Sequence, residues 1–172
     1  MNYVDAILRH PEYIRIQKRI SSLEKERIYC HHEIEHALDV ARMAWIYYLE
    51  DCCKKRKIPE NMEEQKEMLY VCALLHDIGR ASQYEEGIHH SRAGQKIAGK
   101  ILEDISYPRD KKEAVIHIIS GHHTGSEGST EECCTLKDYI CRADHESRLC
   151  FWCSASDTCK WNEEERNRTL GC

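Results

Sequence analysis

Phenylalanine is almost missing from this chain, with one in 172 residues, and glycine is sparse at eight. Leu, Ile, Ala, Glu and Lys recur instead, a balance that leans helical. No run of 18 apolar residues occurs, so no helical membrane span is expected. The opening Met1-Asn2-Tyr3-Val4-Asp5 brings an acid early and no apolar segment, so it does not read as a secretory signal. There is no period-2 alternation of useful length, no repeat and no Pro/Gly-rich linker. The formal charge of -5 supplies no general basic field for long nucleic acid. A phosphate-bearing small molecule would therefore need a local positive site, from a metal or a few arginines. One cytoplasmic domain with one core is the expectation at this length.

Cysteine and histidine are what the chain has in quantity, eleven of each. In a reducing compartment the cysteines are thiols or metal ligands, not a disulfide framework. Apolar residues recur at helical spacing almost throughout, which predicts an all-α bundle of about six helices. The first starts near Pro11, a residue suited to a first turn. The second runs from Ile34 to about Cys53, the third from Glu63 to near Gly79, and the fourth from His89 to Ile105. Asp110–Ser120 and Leu136–Leu149 complete the set, with Gly121–Thr135 as a loop. The helical domain is expected over residues 1–149, with a cysteine-containing tail, 150–172, packed on it.

Three of these helices place titratable groups where phase predicts core. His36 lies in the apolar stretch around Leu38 and Val40. His76-Asp77 follows Cys72-Ala73-Leu74-Leu75, and Asp144 follows Tyr139-Ile140-Cys141-Arg142-Ala143. A carboxylate so placed is costly unless it is paired or binds a metal. A His or Asp turned inward from each of three helices is what a hard or borderline divalent ion requires.

The ordered set His, His-Asp, Asp resembles the HD superfamily of metal-dependent phosphohydrolases, over roughly residues 30 to 150. Leu74-Leu75-His76-Asp77-Ile78-Gly79 is similar to its HDIG-type signature, His36-Ala37-Leu38-Asp39-Val40-Ala41 to its first-histidine helix, and Ala143-Asp144 to its closing aspartate. His90-Ser91-Arg92-Ala93-Gly94 and Gly121-His122-His123-Thr124-Gly125 resemble the extra histidine segments of its two-metal branch. The resemblance implies a first metal on His36, His76, Asp77 and Asp144, with Asp77 bridging to a second on His90 and His122. His89 and His123 are the alternatives that phase alone does not discard. The metal would be one or two ions of Fe, Mn, Zn or Co, activating water for attack on phosphorus. Asp77 is the central catalytic group, and Arg80 and Arg148 are the candidate phosphate grips, since a guanidinium can bind phosphate bidentately.

Cys150, Cys153 and Cys159 form Cys-x2-Cys-x5-Cys, three quarters of a structural zinc or iron–sulfur site. Cys30 is the fourth candidate. It lies six residues before His36 as Cys150 lies six after Asp144, about 9 Å along each helix, so antiparallel helices would bring them to one end. The alternative is reduced, packed thiols. A Cys ahead of the first-histidine helix together with a terminal Cys-x2-Cys-x5-Cys-x-Trp, here ending at Trp161, also resembles a subgroup of HD proteins. The expected function is hydrolysis of a small phosphorylated metabolite, a nucleotide by preference. Resemblance to diadenosine-tetraphosphate hydrolases in size and intervening histidines supports that substrate class. The Gly-Tyr-Pro signature of cyclic-dinucleotide phosphodiesterases is absent from Thr124–Thr130. A di-iron oxygenase and a non-catalytic metal or nucleotide sensor are the alternatives.

Overall fold

The computed structural model describes residues 1–121 and 135–170, and all regular structure among them is helical. The helices are α1 (Asn2–Arg9), α2 (Pro11–Glu24), α3 (Ile34–Lys54), α4 (Met62–Leu75), α5 (Arg80–Glu86), α6 (His90–Asp104), α7 (Arg109–Gly121) and α8 (Leu136–Glu146). Two 3-10 turns, Cys150–Trp152 and Ser156–Thr158, follow. The all-α class is as expected, and the six expected helices are α2, α3, α4, α6, α7 and α8. The remaining two, α1 and α5, are 8 and 7 residues long. That is too short for a 3.6-residue period to declare itself. Most of the expected loop Gly121–Thr135 lies outside the described residues.

Local chemistry sets the ends of several elements. Pro11 occupies the first turn of α2, where its missing N–H costs nothing. Thr135 and Asp138 form a reciprocal capping box at the start of α8. Gly87 closes α5 in the left-handed region at φ 69°, which glycine adopts without strain.

The core is built around α4. It packs against α3, α7, α1 and α8, and every residue from Val71 to Gly79 is buried. Leu69, Leu74, Leu75, Ile101, Ile119 and Ile140 are fully enclosed. Burial of each such side chain stabilises the fold by about 1.5–3 kcal/mol. Helix α4 stops at Leu75, and His76–Gly79 form a corner that leads directly into α5 through Arg80 N–H to Asp77 C=O (2.9 Å). His76 and Asp77 thus leave the deepest helix at a bend, with their side chains still inside the protein.

At this corner α6 makes its closest approach. A Cβ on Gly79 would lie 2.0 Å from the His90 carbonyl oxygen and 2.6 Å from the Gly94 nitrogen, both backbone atoms. Glycine is required there by space, not by backbone angle. On the other side, buried Glu24 at the end of α2 accepts the His32 backbone N–H (2.7 Å), the His32 ring N–H and the Tyr84 hydroxyl (2.5 Å). It ties the α2–α3 connection to α5. The tail lies against α8: Asn167 donates to the carbonyls of His145 (2.7 Å) and Arg148 (2.9 Å), and Trp161 stacks on His145.

Two stability predictions follow from these contacts. Gly79→Ala should cost about 3 kcal/mol or more, because backbone must move. Gly94→Ala, whose Cβ would meet nothing nearer than 3.6 Å, should stay within about 1 kcal/mol. Urea unfolding of both variants checks the contrast, and equal stabilities would mean α6 does not press on the corner. For Glu24, burial raises the carboxyl pKa, but the His32 and Tyr84 hydrogen bonds prevail and hold it down at about 2. The folded value lies below the ordinary 4.5, so this carboxylate stabilises the fold above pH 4.5 and that contribution, about 3 kcal/mol, is lost as pH falls toward 2. Glu24→Gln should therefore trail the parent at pH 6 and match it near pH 2.

Candidate metal centre

Helices α3 and α8 flank the α4–α5 corner, and the three bring one donor atom each from His36, His76, Asp77 and Asp144 within 4.8 Å of one another. His76 and Asp77 are buried, and His36 and Asp144 partly so. His36 Nε2 stands 3.0 Å from Asp144 Oδ1 and 3.9 Å from Asp77 Oδ2. His76 Nε2 stands 3.2 Å from Asp77 Oδ2 and 3.6 Å from Asp144 Oδ1. This is the only such donor group among the described residues.

The tautomers are set by neighbours. His76 Nδ1 lies 2.7 Å from the Ala73 carbonyl, which can only accept, so Nδ1 carries a hydrogen and Nε2 faces the acids. Arg148 Nη2 donates to His36 Nε2 at 2.7 Å and to Asp144 Oδ1 at 3.2 Å. His36 Nε2 is therefore an acceptor, and burial pushes its imidazole down to about 4, which keeps the ring neutral. A lone pair and a carboxylate oxygen 3.0 Å apart repel unless positive charge lies between them. Arg148 supplies that charge here, and the donor set, nitrogen and oxygen only, is one that a divalent ion could also take.

Burial would raise both aspartates, but the His76 ring beside Asp77, and the His36 and His76 rings close to Asp144, hold both carboxyls well below the usual range. Burial opposes charge on His76, yet Asp77 and then Asp144 outweigh it and raise the ring to about 10.

The other expected site residues divide. His90 is buried, with Nε2 3.8 Å from Asp77 Oδ1 and Nδ1 2.8 Å from Gln83 Oε1. Arg80 Nε donates to that same Oδ1 at 2.8 Å. Asp77 thus presents two faces: Oδ2 toward His36 and His76, and Oδ1 toward His90 and Arg80. His89 is exposed and caps α6, its ring accepting the Ser91 N–H. His122 and His123 lie outside the described residues. Arg148 is buried and turned into the donor group, its Nη1 bound to the His31 carbonyl.

Cys30 and Cys150, expected at one end of two antiparallel helices, both lie outside the α-helices, Cys30 in the segment before α3 and Cys150 in a 3-10 turn. Burial raises the Cys30 thiol, and Arg148 pulls against it, while Cys150, Cys153 and Cys159 are close enough to push it further up. No three of these four thiols form a donor group within 4.8 Å, in contrast to the His/Asp set.

Sequence reasoning passed over His32 and Glu24. His32 Nε2 lies 4.0 Å from Asp77 Oδ2. It sits in the irregular segment before α3, where helical phase says nothing; the doubled His31-His32 ahead of His36 was the available signal.

Beside the donor group opens a cavity of about 340 Å³, reached by His32 and Asp144. Arg27, Arg80, Arg148 and Lys160 line it, together with Tyr29 and Trp161.

The structure is an all-helical bundle with a His, His-Asp and Asp donor set that could hold a metal ion. The HD domain model matches residues 33–149, and the chain belongs to the HD domain family, within a superfamily of metal-dependent phosphohydrolases that bind divalent metals. An uncharacterized protein of Clostridium beijerinckii is 36% identical over 167 residues, covering 97% of both chains. Ribonuclease Y 1 of Pediococcus pentosaceus is 29% identical over 118 residues, 69% of this chain and 18% of that protein. No solved structure matches. Among the described residues, no helix is long and apolar enough to cross a membrane.

Because the His76 value lies above the ordinary 6.5, its ion pairs stabilise the metal-stripped protein fully below pH 6.5, and that contribution is lost as pH rises through about 10. Urea unfolding of chelator-treated protein between pH 6 and 10.5 should show a decline that His76→Gln lacks.

Proposed function

We propose that this protein is a metal-dependent hydrolase of phosphoric esters or anhydrides, acting on a small phosphorylated metabolite, with a nucleotide the favoured substrate. The observation that carries the reading is the cavity: four cationic side chains and two aromatic rings meet at the edge of the donor group. Cations bind phosphate oxygens, and aromatic faces stack on a base. A relative named as a ribonuclease supports phosphoester chemistry as the reaction class.

In this reading His36, His76, Asp77 and Asp144 would hold one ion, and His90, whose Nε2 lies 3.8 Å from Asp77 Oδ1, would contribute to a second. His122, expected to complete that position, lies outside the described residues. Bound there, divalent ions supply water activation and neutralise charge developing on the phosphoryl group. Arg80, bonded to Asp77 Oδ1 and to Gln83 Oε1 (3.2 Å), fixes the angle of the central carboxylate. Arg148 links the donor group to the cavity wall, so its guanidinium stands where a phosphate would meet the centre. Arg27 and Lys160 lie on the cavity wall and bind the outer phosphate oxygens, with Tyr29 and Trp161 for the base.

Asp77→Ala should lose both bound metal and phosphate release while circular dichroism shows the helices intact. Full metal content in that variant would place the ion elsewhere. Arg27→Ala should keep its metal and raise KM for a nucleotide about 10-fold or more, since a charge-assisted hydrogen bond contributes about 1.5–3 kcal/mol. Metal-replete protein that releases no phosphate from a panel of nucleoside mono-, di- and polyphosphates would overturn the hydrolase reading.

A further inference from the structure

The ordered motif accounts for His36, His76, Asp77 and Asp144, yet the Oδ2 oxygen of Asp77 faces a third imidazole. His32 Nε2 is 4.0 Å away, beside His76 Nε2 at 3.2 Å and His36 Nε2 at 3.9 Å. We propose that His32 is an additional histidine donor of the centre, on the rim between the ion and the cavity, presented by Glu24 and Tyr84. The inference rests on the metal-centre reading above.

Four observations support it. First, the protonation of the ring is set by Glu24. One carboxylate grips His32 twice, Oε2 taking the backbone N–H at 2.7 Å and Oε1 taking the ring at Nδ1. A carboxylate only accepts, so Nδ1 carries the hydrogen. In the neutral ring Nε2 therefore carries the lone pair.

Second, that lone pair faces another Lewis base. With metal–donor bonds of about 2.1 Å, two donors about 3.0–4.2 Å apart subtend between a right angle and a straight line at one ion. The 4.0 Å between Nε2 and Asp77 Oδ2 falls in that range. His32 stands outside the compact four-atom group, nearest Asp77, hence its place at the rim.

Third, Glu24 is only 1% exposed, and Tyr84 donates a further hydrogen bond to the oxygen that holds Nδ1. This buried carboxylate fixes the orientation of the imidazole ring. The carboxylate–histidine–metal chain is the arrangement in which this occurs repeatedly. Fourth, His32 also lines the cavity, so its ring reaches the centre from the substrate side.

The test is titration of chelator-stripped full-length protein with Co²⁺, read by visible d–d absorption and by competition with a chromophoric chelator. His32→Gln should bind Co²⁺ about 10–100-fold more weakly and with an altered band. Glu24→Gln should weaken binding about 10-fold. His31→Gln, whose ring is bound to the Arg27 carbonyl and partly exposed, should match the parent. His36→Gln separates the two levels: if it retains Co²⁺ at parental affinity, the metal-centre reading itself fails. If His36→Gln loses the ion while His32→Gln keeps parental affinity and spectrum, the centre stands and only His32 is removed from it. Should His32→Gln fail to fold, Tyr84→Phe decides, since it removes one hydroxyl from a half-exposed ring; an unchanged Co²⁺ affinity there overturns the proposal.

Discussion

The structure depends on two carboxylates that should not be where they are. Asp77 is buried at the end of the most enclosed helix and Asp144 faces it, and charge in such a place must be met by opposite charge. Arg80 meets one oxygen of Asp77, and Arg148 reaches Asp144 and His36 together. Histidines fill the remaining directions, and the resulting His/Asp group could hold a metal ion.

Holding those donors together is a problem of backbone placement. A continuous helix through His76 and Asp77 would have put the two side chains about 100° apart on one axis. The bend at His76–Gly79 lets both remain inside while α5 and α6 come up from the far side. The contact between Gly79 and the first turn of α6 sets His90 against the second oxygen of Asp77. Helix α3 and helix α8, packed together, carry His36 and Asp144 to the first. A single carboxylate therefore reports the positions of four helices.

The Glu24–His32–Tyr84 cluster joins this centre to a part of the chain that has no share in the ordered motif. It connects α2, the α2–α3 segment and α5, and it opens on the same cavity as the tail residues Lys160 and Trp161. The tail is thus a wall of that cavity as well as a cover for α8. Its thiols form no compact donor group, whereas Asn167, the Trp161–His145 stack and the Tyr29 hydroxyl bonded to Thr158 tie it to the bundle.

Helical periodicity and the His, His-Asp, Asp order determined the class of fold and picked out the four side chains that cluster as a candidate donor group, because inward phase on a long helix is a local property. His36 on α3 and Asp144 on α8 are legible in that way. Tertiary structure alone decided the rest. Helices α1 and α5 are too short to show a period, and the corner after Leu75 follows from the approach of α6 to Gly79. The two faces of Asp77, the inward turn of Arg148 and the recruitment of His32 by Glu24 depend on distances between segments far apart in sequence. No spacing along one element records such distances, since they arise only when separate elements pack.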